Sequence, residues 1–286
     1  MPHPGPPLTT QNIMGARMAG MASELANLHS YGKHLAKCLL AGSLAEACST
    51  SAVMAIRSLE AVRDLWAAPR VTCEFCGWRG CSFRTFVAGA TLRRGAVCPR
   101  CLSLERHRDF LRLFRDLRAL LPPHIDLLDI APTRAFSDYC TRAPDIAYLS
   151  IDEVSPIAMR HMDVQALELP SDSFDVVVCY HVLDYVPDDV QALREIRRVL
   201  RASGFAILQE VISDAEATVE WHRPMPEHLH RIRRYGRDFF QRLERAGLRF
   251  VTMQRLTGPV ILAAKSEHGT LDRLAAGTNR ASPSSG

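Results

Sequence analysis

The sequence predicts an α/β protein: a mostly parallel sheet in the second half, preceded by a helical segment and a small metal-held module. Three observations carry this. From Ile125 onward, short apolar runs alternate with helical stretches, the pattern of buried strands joined by crossover helices. Two Cys-x2-Cys pairs, Cys73/Cys76 and Cys98/Cys101, stand 21 residues apart, as in a four-sulfur metal site. The 286 residues are 47% hydrophobic and 23% charged, near globular averages, which excludes collagen-like and wholly disordered chains. No apolar run reaches the roughly 18 residues of a membrane span.

In chain order, residues 1–22 are rich in Pro, Gly and Met and read as a tail without the layout of a signal peptide. Residues 23–69 read as a helical segment. Ser43-Leu44-Ala45-Glu46 matches a capping box, and Val53, Ile56, Leu59, Val62 and Trp66 form one apolar stripe ended by Pro69. The expectation is a helical hairpin packing on the main domain or pairing a homodimer through these helices.

Residues 70–103 read as a zinc ribbon. Cys73, Cys76, Cys98 and Cys101 are the expected structural ligands, with one short strand over 82–87 between the pairs. Cys81 and His107 stand close enough in sequence to substitute for a ligand. Arg79, Arg84, Arg93, Arg94, Arg100, Arg106 and Arg108, interleaved with Trp78, Phe83 and Phe86, are compatible with RNA contact. The net charge of +4 is too mild to imply nucleic acid. Nine cysteines without an export signal point to metal ligands and buried thiols in a cytoplasmic protein, with Cys38, Cys48, Cys81 and Cys140 as the thiols.

Residues 104–266 form the expected sheet domain. A helix over 103–121 stops at Pro122-Pro123; strands follow at 125–130, 147–151, 175–179 and 205–211, with helices at 190–200 and 238–246. Strands at 250–254 and 260–264 close it, and 267–286 is a polar tail. Asp129, Asp152 and Asp163 each end or follow a strand, where open α/β sheets bind ligands. Asp152 stands 23 positions beyond Asp129, near the spacing of a ribose-binding carboxylate.

These residues carry a resemblance. Asp163-Val164-Gln165 through Pro170, Ser173-Phe174-Asp175 through Asp188, Ala192 through Leu200 and Gly204 through Leu208 together resemble the class I S-adenosylmethionine-dependent methyltransferases. The resemblance covers 125–265 and implies a Rossmann-like seven-stranded sheet of order 3-2-1-4-5-7-6, with S-adenosylmethionine as cofactor. It places Asp129, Ala131 and Thr133 beside the methionine part, Asp152 on the ribose hydroxyls, and Asp163 with the Val164 backbone on the adenine. Cys179 and His181 would line the floor near the sulfonium. One departure stands out: the family's first loop is glycine-rich, whereas Ala131-Pro132-Thr133-Arg134-Ala135 has no glycine.

The expected activity is methyl transfer to an N or O nucleophile of a small-molecule or peptide acceptor. His181 is the candidate base, with Tyr180 beside it and Glu210 holding the acceptor. Residues 221–230, with His222, His228 and His230, read as an acceptor-side lid. The alternatives are an RNA methyltransferase using the ribbon for contact, and a non-catalytic binding protein that retains the fold.

Overall fold

The computed structural model describes residues 29, 32–40, 43–88, 91–225, 230–255, 258–265 and 271–272. The tail expected at 1–22 lies outside them, as does most of that at 267–286. The chain divides into two compact units between Leu111 and Arg112.

In the first unit, residues 32–40 are helical and helix α1 spans Leu44–Trp66. The capping box does not form at its start: the Ser43 side chain makes no cap hydrogen bond, and only its carbonyl engages, accepting from the Ala47 amide at 3.0 Å. The predicted apolar stripe is also corrected. Val53 is buried, but Leu59, Val62 and Trp66 are 71%, 52% and 84% exposed. The face that packs instead carries Glu60 and Asp64. Glu60 accepts from the Thr85 amide (2.9 Å) and hydroxyl (2.6 Å), while Asp64 pairs with Arg84 at 2.7 Å and accepts from the Cys81 amide at 2.7 Å. A module this small has little apolar surface to offer a helix, so directed polar bonds hold the two together.

That module is two hairpins. Strand β1 (Val71–Thr72) pairs antiparallel with β2 (Arg79–Gly80), and β3 (Arg84–Ala88) with β4 (Thr91–Val97). The single strand expected at 82–87 is thus one arm of a hairpin. Helix α2 (Glu105–Arg118) follows and crosses the division between the units.

The second unit contains β5 (Ile125–Ile130), α3 (Arg134–Arg142), β6 (Ile146–Asp152), β7 (Arg160–His161), β8 (Phe174–Tyr180), α4 (Asp189–Val199) and β9 (Leu200–Gln209). It continues with β10 (Val219–Met225), β11 (Arg231–Arg234), α5 (Phe239–Arg245), β12 (Arg249–Arg255) and β13 (Gly258–Ala264). Seven of these strands form one sheet in the order β7-β6-β5-β8-β9-β13-β12. Numbered along the chain within the sheet, that is 3-2-1-4-5-7-6. Strands β5 to β9 run parallel, and β13 is antiparallel to both its neighbours. The central strands are largely apolar, as expected of a sheet covered on both faces, and the exceptions include Asp129 of β5. Leu128, Val177, Leu208 and Ile261 are fully buried, as are Leu193 and Ile196 of α4 and Phe239 and Leu243 of α5. Gly204 lets β9 approach β8: a Cβ there would meet the Phe174 carbonyl oxygen at 2.8 Å.

The segment expected as a lid is largely strand. Residues 219–225 and 231–234 form the β10–β11 hairpin, pairing Val219 with Arg234 and Glu220 with Arg233. The residues 226–229, which include His228, and the His222 side chain lie outside what is described; His230 is exposed, at φ +62°. Among the described residues no helix is long and apolar enough to cross a membrane. All nine cysteines are free; Cys38 and Cys140 are buried as expected, but Cys48 is exposed and Cys81 only partly covered.

Candidate active site and metal centre

Each Cys-x2-Cys pair closes on itself through the backbone. The Gly77 amide donates to the Cys73 carbonyl (2.8 Å) and the Cys73 amide to the Trp78 carbonyl (2.7 Å). The second pair repeats this: Leu102 amide to Cys98 carbonyl and Cys98 amide to Ser103 carbonyl, both 2.9 Å. Gly77 and Leu102 occupy equivalent left-handed positions, φ +71° and +59°, which cost a glycine little and a leucine about 1–2 kcal/mol. The two turns bring the sulfurs of Cys73, Cys76, Cys98 and Cys101 all within 4.8 Å of one another. Four soft donors at such separations suit a closed tetrahedral ion of the zinc type.

Neither substitute ligand joins them. The His107 Nδ1 accepts from the Leu104 amide (3.3 Å) at the start of α2, and the Cys81 Sγ lies 3.5 Å from the Ala68 carbonyl oxygen. Arg108 is 3% exposed: it donates to the Ser103 and Ala96 carbonyls (2.7 and 3.0 Å) and lies 3.6 Å from the Phe83 ring centroid. Arg84 is buried against Asp64 and Trp78, and Arg93 pairs with Glu105. Two of the arginines read as RNA-facing, Arg84 and Arg108, are therefore buried with Trp78, and Arg93 is ion-paired at the surface.

In the second unit, the parallel course of β5 to β9 puts their carboxyl ends on one edge. The chain leaves β5 for β6 on one side and later β8 on the other, so the switch point lies beside β5. Asp129, next to last in β5, is 3% exposed and accepts from the Tyr148 hydroxyl at 2.7 Å. Burial pushes its carboxyl up to about 7, against the tempering effect of that hydrogen bond. Because the folded value lies above the ordinary 3.8, this group's contribution to stability is full below about pH 4 and is lost as pH rises to about 7. Asp129→Asn keeps an acceptor for Tyr148 and removes the titration. Urea unfolding at pH 5 and pH 7 should show the wild type losing about 2–3 kcal/mol more than the variant; equal losses would place the titration elsewhere.

The glycine-free loop reaches a left-handed turn all the same. Ala131 lies at φ +58°, its amide donating to the Ile151 carbonyl at 2.9 Å, at a cost of about 1–2 kcal/mol that a glycine would avoid. Pro132 is buried, and Thr133 caps α3 without its hydroxyl; its carbonyl accepts from the Ser137 amide. Asp152, last in β6, accepts through Oδ1 from the Val154 and Ser155 amides (2.9 and 2.7 Å), while Oδ2 accepts no hydrogen bond among the described residues. Asp163, just beyond β7, accepts from the Gln165 amide (2.8 Å) and side chain; Gln165 in turn accepts from the Asp188 amide at 2.7 Å. Val164 is buried beside it.

At the end of β8, Tyr180 and His181 are partly exposed with ring centroids 6.4 Å apart. His181 lies at φ +56°, its amide bonded to the Gln209 carbonyl (2.8 Å). The Cys179 side chain is fully buried in the core, which leaves only its backbone to line a floor. Glu210 does not reach out to an acceptor as expected. It is 2% exposed, and its Oε1 accepts from the amides of Val182 (3.1 Å) and Leu183 (3.0 Å). Burial, then the nearby Asp184, pushes its carboxyl well above the usual range. Asp184 is buried and raised in the same way, offset by Arg231 at 2.6 Å.

Residues 133–208, from the first loop to the end of β9, match the family model of a methyltransferase domain. Over that stretch the chain carries a methyltransferase domain. Among solved structures, it is similar to the Burkholderia thailandensis 1,6-didemethyltoxoflavin-N1-methyltransferase bound to 1,6-didemethyltoxoflavin and S-adenosylhomocysteine, at 17% identity over 54% of this chain and 76% of that one, TM-score 0.42. It is also similar to a complex of the Haloferax volcanii Trm112 methyltransferase activator with a methyltransferase (16% identity, 55% and 90%, TM-score 0.40). A Mesorhizobium loti S-adenosylmethionine-dependent methyltransferase aligns at 14% identity over 52% and 95%, TM-score 0.38. The comparison with curated proteins returned no match.

The methyltransferase domain thus gathers Asp129, Ala131, Asp152, Asp163, Tyr180 and His181 on one sheet edge, while Glu210 and the Cys179 thiol turn inward. Sequence reading missed Tyr148, Gln165 and Arg233. Only pairing in the sheet reveals the first, since Tyr148 stands opposite Leu127 on the neighbouring strand.

Proposed function

We propose that this protein transfers a methyl group from S-adenosylmethionine to an N or O nucleophile of a small-molecule or peptide acceptor in the cytoplasm. Residues 104–266 act as the methyl-transferring domain, and 70–103 form a zinc ribbon. The observation that carries the reading is the convergence of three carboxylates and the His181 turn at the carboxyl ends of adjacent parallel strands, at the switch point.

When bound, the cofactor supplies a methyl already activated by the sulfonium. What the chain must add is orientation and, for a protonated nucleophile, a base. Asp152 Oδ2 would accept from the ribose hydroxyls. Asp163 would face the adenine amino group beside Val164, and Asp129 with the 131–133 turn would hold the methionine part. His181 would take the proton from the acceptor, with Tyr180 beside it. Glu210 would act on the acceptor only through the turn it holds. Four thiolates without a carboxylate or an open position favour a structural zinc.

Calorimetry with S-adenosylmethionine tests the reading: micromolar binding is expected, and none at millimolar cofactor would remove it. The burial of Arg84 and Arg108 disfavours RNA as acceptor; a salt-dependent RNA shift would reverse that. The exposed Leu59, Val62 and Trp66 support pairing with a second copy through α1. Sedimentation should then show a dimer that Trp66→Glu with Leu59→Glu makes monomeric, whereas a monomeric wild type would end that part.

A further inference from the structure

The turn from His181 to Asp188 is held by side chains from distant strands. Glu210 binds its first amides, and Arg233 of β11 binds its carbonyls. Arg233 is 3% exposed. Its Nη1 donates to the Leu183 and Val186 carbonyls (2.6 and 2.5 Å) and its Nη2 to the Pro187 carbonyl (2.8 Å). Nε donates to Glu220 Oε2 on β10 at 2.9 Å, which fixes the plane of the fork. Arg242 of α5 braces the same group, donating to Asp189 (2.8 and 3.0 Å) and to Glu220 (2.8 Å), and the Tyr235 hydroxyl donates to Asp189 (2.8 Å). The neighbours of Arg233 take hold as well: the Ile232 amide donates to the Asp184 carbonyl (3.0 Å), and Arg231 pairs with the Asp184 carboxylate.

This arrangement has two physical consequences. Three carbonyls of the turn are satisfied by one planar guanidinium that is itself buried, which a lysine's single ammonium cannot match in direction. Moreover, His181 sits in a left-handed conformation that costs an imidazole-bearing residue about 1 kcal/mol and persists only where its surroundings over-determine it. Gln209 and Glu210 fix the turn from one side, and Arg233 fixes it from the other.

We propose that Arg233 is a positioning residue of the methyltransferase: through the carbonyls of Leu183, Val186 and Pro187 it holds the turn that presents His181, making the β10–β11 hairpin a strap. The proposal rests on the reading of His181 as acceptor-facing, and it assigns Arg233 no contact with cofactor or acceptor.

The test uses the full chain with Arg233→Lys and Arg233→Ala, and S-adenosylhomocysteine as the cofactor probe. In Arg233→Lys, affinity for the probe should change far less than the exchange over 182–187, because Arg233 touches none of Asp129, Asp152 and Asp163. Amide exchange over 182–187 should accelerate at least about tenfold, since charge-assisted bonds to that segment are lost. The His181 imidazole resonance should shift in position and in its pH titration, and millimolar guanidinium should restore both in Arg233→Ala. A folded Arg233→Lys with unchanged exchange and an unchanged His181 titration overturns the proposal. If neither variant folds, Glu220→Gln, which removes only the charge orienting the fork, should give the same changes at smaller size; no change there overturns it equally. Failure of the wild type to bind the probe counts against the methyltransferase reading alone, since the exchange and titration results do not depend on it.

Discussion

Removing the metal, or replacing Cys98 by Ser, should unfold the two-hairpin module: loss of amide protection over 73–78 and 98–103, with the seven-stranded sheet still protected. The expected size follows from how little else holds this segment. Its buried apolar side chains, Phe75, Trp78, Ala96, Val97 and Leu104 with Phe86 packed beside them, are too few to offset the entropy of ordering two hairpins. A structural zinc contributes roughly 10–16 kcal/mol to small thiolate domains, which would make it the main source of stability for the proposed ribbon. Without a cation, four sulfurs within 4.8 Å repel as thiolates or stay protonated and weakly bonded. Elemental analysis should find one zinc per chain, lost in Cys98→Ser and kept in Cys81→Ser, whose sulfur lies beside α1. Full protection of both knuckles in metal-free protein would remove zinc from the account.

Asp152→Ala should weaken cofactor binding by about 100-fold or more, the loss of two hydrogen bonds to a carboxylate. The same residue has a second role that must be separated from the first. Its Oδ1 accepts from the Val154 and Ser155 amides, so the alanine also loosens the turn after β6, by about 1 kcal/mol. Asp152→Asn keeps that turn, because its amide oxygen can accept both bonds, while it removes the charge and places a donor near the ribose. Titration calorimetry should therefore rank wild type above Asn and Asn above Ala, with thermal stability lowered only in Ala. Wild-type affinity in both variants would mean that this carboxylate does not meet the ribose.

The carboxyl-edge residues were legible in the sequence for a definite reason. Asp129, Asp152 and His181 each directly end or follow an apolar run, and a strand's end is a local property of the chain; Asp163 follows Arg160-His161-Met162 and was read through the family resemblance. The four cysteines were legible because a Cys-x2-Cys turn is closed by hydrogen bonds within five or six residues. The sheet strands and helices read from periodicity shifted by only a few residues, whereas α3, β7, the β10–β11 hairpin and three of the four ribbon strands were not read at all. The left-handed turn at Ala131 was not legible, since alanine in that place carries no sign of the conformation it adopts; pairing of its amide with Ile151 on the neighbouring strand imposes it.

What the sequence by itself determined was therefore the class of fold, the sulfur cluster and which strand ends carry ionisable side chains. Tertiary structure alone decided which side chains face outward. Glu210 stands at a strand end like Asp152, yet it turns inward because the unpaired amides of Val182 and Leu183 come within its reach. The stripe on α1 has perfect helical spacing, yet Leu59 and Trp66 stay exposed because Glu60 and Asp64 find Thr85 and Arg84 on the other face. Arg233 lies in a run of arginines that reads as solvated surface, and only the return of β11 across the turn after β8 buries it against three carbonyls. Periodicity can say that a face exists; what that face meets depends on contacts between residues tens of positions apart, and these form only when the chain folds.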